Sequence, residues 1–186
     1  MKFSRLEQTA LLVMLALLGG TWIVYSREPV MQNADVLLTE APNVGHLAPD
    51  FMLATPQGEV YSLSRYVDRN GDSGRPVVLN YWASWCGPCR IETPNFQTAS
   101  LKYGDRIAFL GVNQGESAQT VTEFGVSFGL TYPLLVDEES TVSDLYGVHN
   151  LPTTVFIDKK GVVREVFVGI LNEAVLADRI NRLLQE

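Results

Sequence analysis

The chain has 186 residues, 46% hydrophobic and 19% charged, a composition that fits one folded domain and excludes low-complexity and collagen-like classes. Its net charge of −7, with no basic stripe in the body, argues against nucleic acid as a partner. A body of about 150 residues builds its core without cross-links, so the two cysteines, Cys86 and Cys89, are not needed as staples.

Lys2 and Arg5 precede an uncharged run from Thr9 to Tyr25. At about 1.5 Å per residue this run makes about 25 Å of helix, enough for the hydrocarbon core of a bilayer. Trp22 and Tyr25 stand at its far end, where amphipathic rings favour the interface. Residues 1–26 are therefore expected to form an uncleaved signal-anchor with a single transmembrane helix. The basic flank puts the N-terminus in the cytoplasm, and the rest of the chain then lies outside the cell membrane. A cleaved signal peptide is the alternative. Against it, the run exceeds the usual apolar stretch of about 7 to 15 residues, and "LGG" at 18–20 has Leu18 where a small residue is wanted.

Residues 27–47 carry Pro29, Pro42 and Gly45 with little periodicity and read as a tether, leaving 48–186 as the domain. "DFMLATPQGEVYSL" places two short apolar runs around a Pro-Gln-Gly turn and predicts a hairpin; "DRNGDSGRP" at 68–76 is turn chemistry throughout. The near-continuous apolar run "VVLNYW", 77–82, suits a strand buried on both faces. A helix is expected from 87 to about 103, with Pro94 expected to kink it. A second buried strand, "IAFLGVN", follows at 107–113. Val121, Phe124 and Phe128 recur at helical spacing after a cap at Ser117. "YPLLVD" predicts a third strand, and "STVSDLYG" a short helix ended by Gly147. "TTVFID" and "VVREVFVG" form a hairpin around Lys159–Gly161. Leu176, Ile180, Leu183 and Leu184 give the apolar stripe of a last helix capped by Asn172. Strands alternating with helices, then an antiparallel pair and a helix, argue for an α/β sheet of mixed direction.

Three inert roles fit Cys86 and Cys89 poorly. A disulfide closing so short a loop removes little unfolded-state entropy. Structural zinc needs about four ligands, and the two histidines, His46 and His149, are far apart and unpatterned. Haem attachment needs histidine after the second cysteine, where Arg90 stands. A redox role fits. The strand ending at Trp82 delivers Cys86 to the start of a helix, where unpaired N–H groups and the helix dipole favour a thiolate. Cys89, three residues on, shares its face, and Pro88 falls in the first turn, where its missing N–H costs nothing. An exposed Cys86 with a shielded Cys89 is the expectation. Trp82 reads as core; Trp85, beside the reactive thiol, reads as substrate-facing surface.

"WCGPC" after an apolar strand, "LPTT" at 151–154 and the closing hairpin and helix resemble the thioredoxin superfamily. "APDF" at 48–51, "CRIETP" at 89–94, "GVN" at 111–113 and the anchor narrow the resemblance to its membrane-anchored, extracytoplasmic TlpA/ResA-type branch, over residues 45–186. The resemblance implies a thioredoxin-like mixed β-sheet flanked by helices, extended by an N-terminal β-hairpin and one transmembrane helix. It implies a thiol–disulfide oxidoreductase that reduces protein disulfides in c-type cytochrome maturation, with apocytochrome c as substrate and a membrane thiol-transfer protein as electron donor. No cofactor beyond the Cys86–Cys89 disulfide and no metal are expected, and a monomer is expected. By the same resemblance Pro152 is the cis-proline facing the disulfide, and it presents backbone with Leu151 to an incoming peptide. Trp85, Gly87 and Pro88 complete the substrate-binding surface.

The chain also departs from the branch. Gly87-Pro88 stands where ResA-like sites often carry Glu, and Asn80 stands where thioredoxin has a buried Asp. Glu92, three residues after Cys89, matches the branch's acidic residue and is the candidate catalytic base. Gly-Pro is the dipeptide of reducing thioredoxin, at about −270 mV against about −120 mV for strong oxidants, a gap of about 7 kcal/mol. Other readings are a general disulfide oxidase or exchanger and a non-enzymatic binding module. "APDF" also occurs in peroxiredoxins, but these normally place Thr three residues before the reactive cysteine, and here that position is Ala83.

Overall fold

A computed structural model of the chain describes residues 39–71 and 73–186; the expected anchor and the first part of the tether lie outside the described residues. Among the described residues no helix is long and apolar enough to cross a membrane.

The described strands form one seven-stranded sheet in the order β2-β1-β5-β4-β3-β6-β7. They are β1 (Met52–Ala54), β2 (Val60–Ser62), β3 (Val77–Trp82), β4 (Ala108–Gln114), β5 (Leu134–Asp137), β6 (Thr153–Ile157) and β7 (Val163–Val168). β3, β4 and β5 run parallel, joined by helical crossovers, while β6 and β7 are antiparallel to their neighbours. All six residues of β3 are buried, as expected of a strand covered on both faces. The segment "DFMLATPQGEVYSL" supplies β1 and β2, which pair antiparallel through a turn closed by Gly58 N–H on the Thr55 carbonyl.

Side chains alternate across the sheet. Val77, Leu79 and Tyr81 point to a cluster with Ala48, Phe51, Leu63 and Tyr146. Val78 points to the other face, where Phe96, Ala99 and Tyr103 of α1 (Gly87–Tyr103) meet Leu176, Ile180 and Leu183 of α4 (Glu173–Leu183). Trp82, on that same face, meets Val121 and Phe124 of α2 (Ala118–Phe128). Each side chain as fully buried as Phe96 or Ile180 contributes about 1.5–3 kcal/mol of transfer free energy. The helix α1 continues through Pro94. Ser117 and Asn172 cap α2 and α4 by accepting from Thr120 and Val175 N–H. The short α3 (Thr141–Leu145) is capped instead by the buried Asp137 carboxylate, which accepts from Val142 N–H, Ser143 N–H and the Ser143 hydroxyl.

Two elements were not foreseen. A 3-10 turn, Leu63–Arg65, follows β2 and drops Leu63 into the core. Residues 45–47 are stitched to the start of β7: Gly45 N–H donates to the Val163 carbonyl, Val163 N–H donates to the His46 carbonyl, and Leu47 bridges Val162.

Candidate active site: the Cys86–Cys89 turn

β3 ends at Trp82, and a turn closed by Cys86 N–H on the Ala83 carbonyl leads directly into α1. Cys86 is the N-cap, and its sulfur accepts the Cys89 N–H at 3.2 Å. Cys86 and Cys89 are joined by a disulfide with Cα atoms 5.3 Å apart. The sulfur that becomes Cys86 thiolate therefore sits where the first-turn N–H groups and the helix dipole favour negative charge.

Burial corrects one expectation. Cys86 is not openly exposed: it is 4% accessible, against 0% for Cys89. Trp82, Val121, Phe124 and Leu134 pack around the pair, with Leu151 against the same cluster. The asymmetry between the two cysteines has the expected sense, on a smaller scale. Trp82 is core, stacked on Phe124 with centroids 4.2 Å apart, whereas Trp85 stands out, 72% exposed, beside Gly87 and Pro88, which are also exposed. A Cβ at Gly87 would meet nothing within 4 Å, so a larger residue fits there.

The Leu151–Pro152 peptide bond is cis. Pro152 is buried and its carbonyl accepts Gly169 N–H at 2.9 Å, while Leu151 is half-buried. The Thr153 hydroxyl donates back to the Asn150 carbonyl at 2.6 Å and closes the turn that carries the proline.

Glu92 is 1% exposed. Asn80 Nδ2 donates to one of its carboxylate oxygens at 2.8 Å, and Leu171 N–H donates to the other at 2.9 Å. Burial pushes its pKa up to about 7, against the opposing pull of the Leu171 N–H and then the Asn80 amide. Tyr132 is raised as well, first by burial and then by the Glu92 charge, which places it in the field of that carboxylate. In the sequence Asn80 shows only as the loss of a base, with nothing to pair it with Glu92. The pairing follows from β3 and α1 being packed face to face, and no local spacing announces it.

Sequence reasoning also missed Ser84 and Glu116. Ser84 N–H and hydroxyl both donate to the Glu116 carboxylate, at 2.7 and 2.5 Å. The parallel register, Trp82 opposite Asn113, carries these distant residues to the same sheet edge. Among the described residues no cluster of three His, Cys, Asp or Glu side chains is placed to hold a metal ion.

This arrangement can exchange one disulfide for another, and the comparisons with known proteins agree. Residues 44–166 match the model of the AhpC/TSA family. The chain is 36% identical to the thiol-disulfide oxidoreductase ResA of Geobacillus thermodenitrificans over 166 residues, 88% of this chain and 86% of the relative. It is 35% identical to the thioredoxin-like protein YneN of Bacillus subtilis over 140 residues, 74% of this chain and 78% of that one. Among solved structures, a thiol:disulfide interchange protein DsbE from Chlorobium tepidum superposes with a TM-score of 0.69 at 30% identity, covering 76% of this chain and 98% of its own. The chain belongs to the AhpC/TSA family and, within the thioredoxin superfamily, to the ResA/DsbE-like thiol–disulfide oxidoreductases.

Proposed function

We propose that this oxidoreductase works as a reductant of protein disulfides outside the cytoplasm, held at the membrane by residues 9–25, with an apocytochrome c as substrate and a membrane thiol-transfer protein as electron donor. The observation that carries the reading is a disulfide at the N-terminus of a helix that also carries a buried Glu92, whose pKa burial raises to about 7 so that near neutral pH it can take up a proton. In the reduced protein, Cys86 thiolate attacks one sulfur of the substrate disulfide, forming a mixed disulfide and releasing the first substrate thiolate. Cys89 then gives its proton to Glu92 and attacks Cys86 Sγ. That step releases the second substrate thiolate and leaves the Cys86–Cys89 disulfide. Two electrons pass to the substrate, and the donor restores both thiols.

Trp85, Gly87 and Pro88 on one side and the half-buried Leu151 on the other are the surface against which the peptide lies, its backbone pairing with Leu151 beside the buried cis-Pro152 as an added strand would. Likeness to a thiol-disulfide oxidoreductase ResA supports the thiol–disulfide chemistry and fits a membrane site, and the Gly87-Pro88 dipeptide supports the reducing direction. Trapping tests the substrate: a Cys89→Ser variant, unable to resolve, should accumulate mixed disulfides through Cys86 with cysteine pairs of c-type apocytochromes. Recovery of unrelated proteins alone would sink the apocytochrome assignment and leave a general exchanger.

A further inference from the structure

Ser84 lies two residues before Cys86, in the turn between β3 and α1. Every polar group it has is engaged. Its N–H and hydroxyl donate to Glu116, and its carbonyl accepts from Arg90 Nη1 at 3.4 Å. Arg90 is itself steadied over the rings of Phe128 and Phe124, 5.2 and 5.7 Å from their centroids. The Glu116 carboxylate takes a third donor, Asn113 Nδ2, at 2.7 Å. Asn113 is fully buried at the end of β4, directly across the ladder from Trp82. Gly115, at φ 75°, turns the chain so that Glu116 comes back over the strand ends.

We propose that Glu116 is a positioning residue for the thiol chemistry: it locks the Ser84 turn to the end of β4 and so fixes where the Cys86 sulfur stands when it reacts. The inference rests on the reductase reading above. Its physical basis is geometric. Two carboxylate oxygens satisfy three donors that come from two chain segments, and one of those segments leads within two residues into the reactive cysteine. A turn held at both its N–H and its hydroxyl cannot swing without breaking two short hydrogen bonds at once. Near-attack geometry is sensitive to displacements on the order of 1 Å.

Geometry and charge can be separated, because glutamine fits the same partners. Its carbonyl oxygen accepts from Ser84 N–H and Asn113, while its NH₂ donates to a Ser84 hydroxyl that has turned to accept. The test is the second-order rate at which the reduced full-length protein, in detergent, attacks bis(2-hydroxyethyl) disulfide, an uncharged probe, across pH 5 to 9. Glu116→Ala should be slower by about 10-fold or more, with Glu116→Gln within about threefold of wild type. Adding Ser84→Ala to Glu116→Ala should cost less than a further twofold, since the hydroxyl has already lost its partner. A wild-type rate for Glu116→Ala, or a Glu116→Gln as slow as Glu116→Ala, overturns the proposal; the second result would make the effect one of charge. Should Glu116→Ala not fold, Ser84→Thr against Ser84→Ala decides, because Thr keeps the hydroxyl; equal rates for the two overturn it. Failure of the reductase reading would look different: the wild-type midpoint potential would lie nearer the strong oxidants' than thioredoxin's, whatever the order of the Glu116 rates.

Discussion

Glu92→Gln in the oxidised protein isolates what a buried acid does to stability, because no thiol titrates while the disulfide is closed. In the folded protein burial raises the Glu92 pKa from 4.5 to about 7. The folded state therefore keeps a proton that the unfolded chain has already lost between those values. Stability from this proton is fully present below about pH 4.5, falls as pH rises, and is gone above about pH 7. Integrating the two titrations between pH 5 and pH 8 gives a loss of about 2.5 kcal/mol from this one group. Glu92→Gln, neutral at every pH, removes that slope. At a urea m-value of roughly 2 kcal/mol/M, the wild-type midpoint should fall relative to the variant's by about 1.2 M over the same range. Urea unfolding of both proteins at pH 5, 6, 7 and 8 reads this directly. Parallel pH profiles would refute the reasoning and place the acid's pKa near that of a solvated carboxylate.

In the reduced protein the same variant should slow resolution by Cys89 about 10-fold and flatten its pH dependence near 7, seen by stopped-flow reduction of a model disulfide between pH 5 and 9. Cys86→Ser should abolish insulin reduction while Cys89→Ser accumulates mixed disulfides on non-reducing gels; the reverse pattern would exchange their roles. The midpoint potential against glutathione or dithiothreitol buffers should lie below about −220 mV, and a value above about −160 mV would make the protein an oxidase. Asp137→Ala should destabilise by about 2 kcal/mol in urea, because it removes the cap of α3 and strands buried donors, while Asn172→Ala at an exposed cap should cost about 1 kcal/mol. A reporter fused after Glu186 and active only outside the cytoplasm should be active, with the protein resisting carbonate extraction; release of a shortened soluble form would favour a cleaved signal.

The elements were legible wherever one local pattern decided them. "VVLNYW" reads as a strand buried on both faces because nothing polar but Asn80 interrupts it, and Ser117 and Asn172 mark helix starts by chemistry that acts within three residues. The cysteine pair was legible because Cys86 and Cys89 span a single turn. What stayed hidden depends on neighbours far apart in the chain. Asn80 meets Glu92, and Glu92 meets Leu171 N–H 79 residues away. Glu116 reaches Ser84 across 32 residues, through a strand register that periodicity does not specify. The small exposure of Cys86 is hidden for the same reason: the cluster that holds the pair draws on Val121, Phe124, Leu134 and Leu151 as well as on Trp82 and Ala83 beside it.

That cover sets the order of events in a catalytic cycle. With the disulfide closed, Cys89 has no accessible surface and Cys86 has a little, so a donor thiol arriving to recharge the protein can strike only Cys86. A substrate disulfide arriving at the reduced protein meets the same sulfur. Oxidation and re-reduction then pass through one atom, so a donor thiol and a substrate disulfide cannot react there together. Turnover must alternate, one product leaving before the next reactant binds. The kinetic signature is a family of parallel lines in a double-reciprocal plot rather than a converging one, the ping-pong form of covalent exchange.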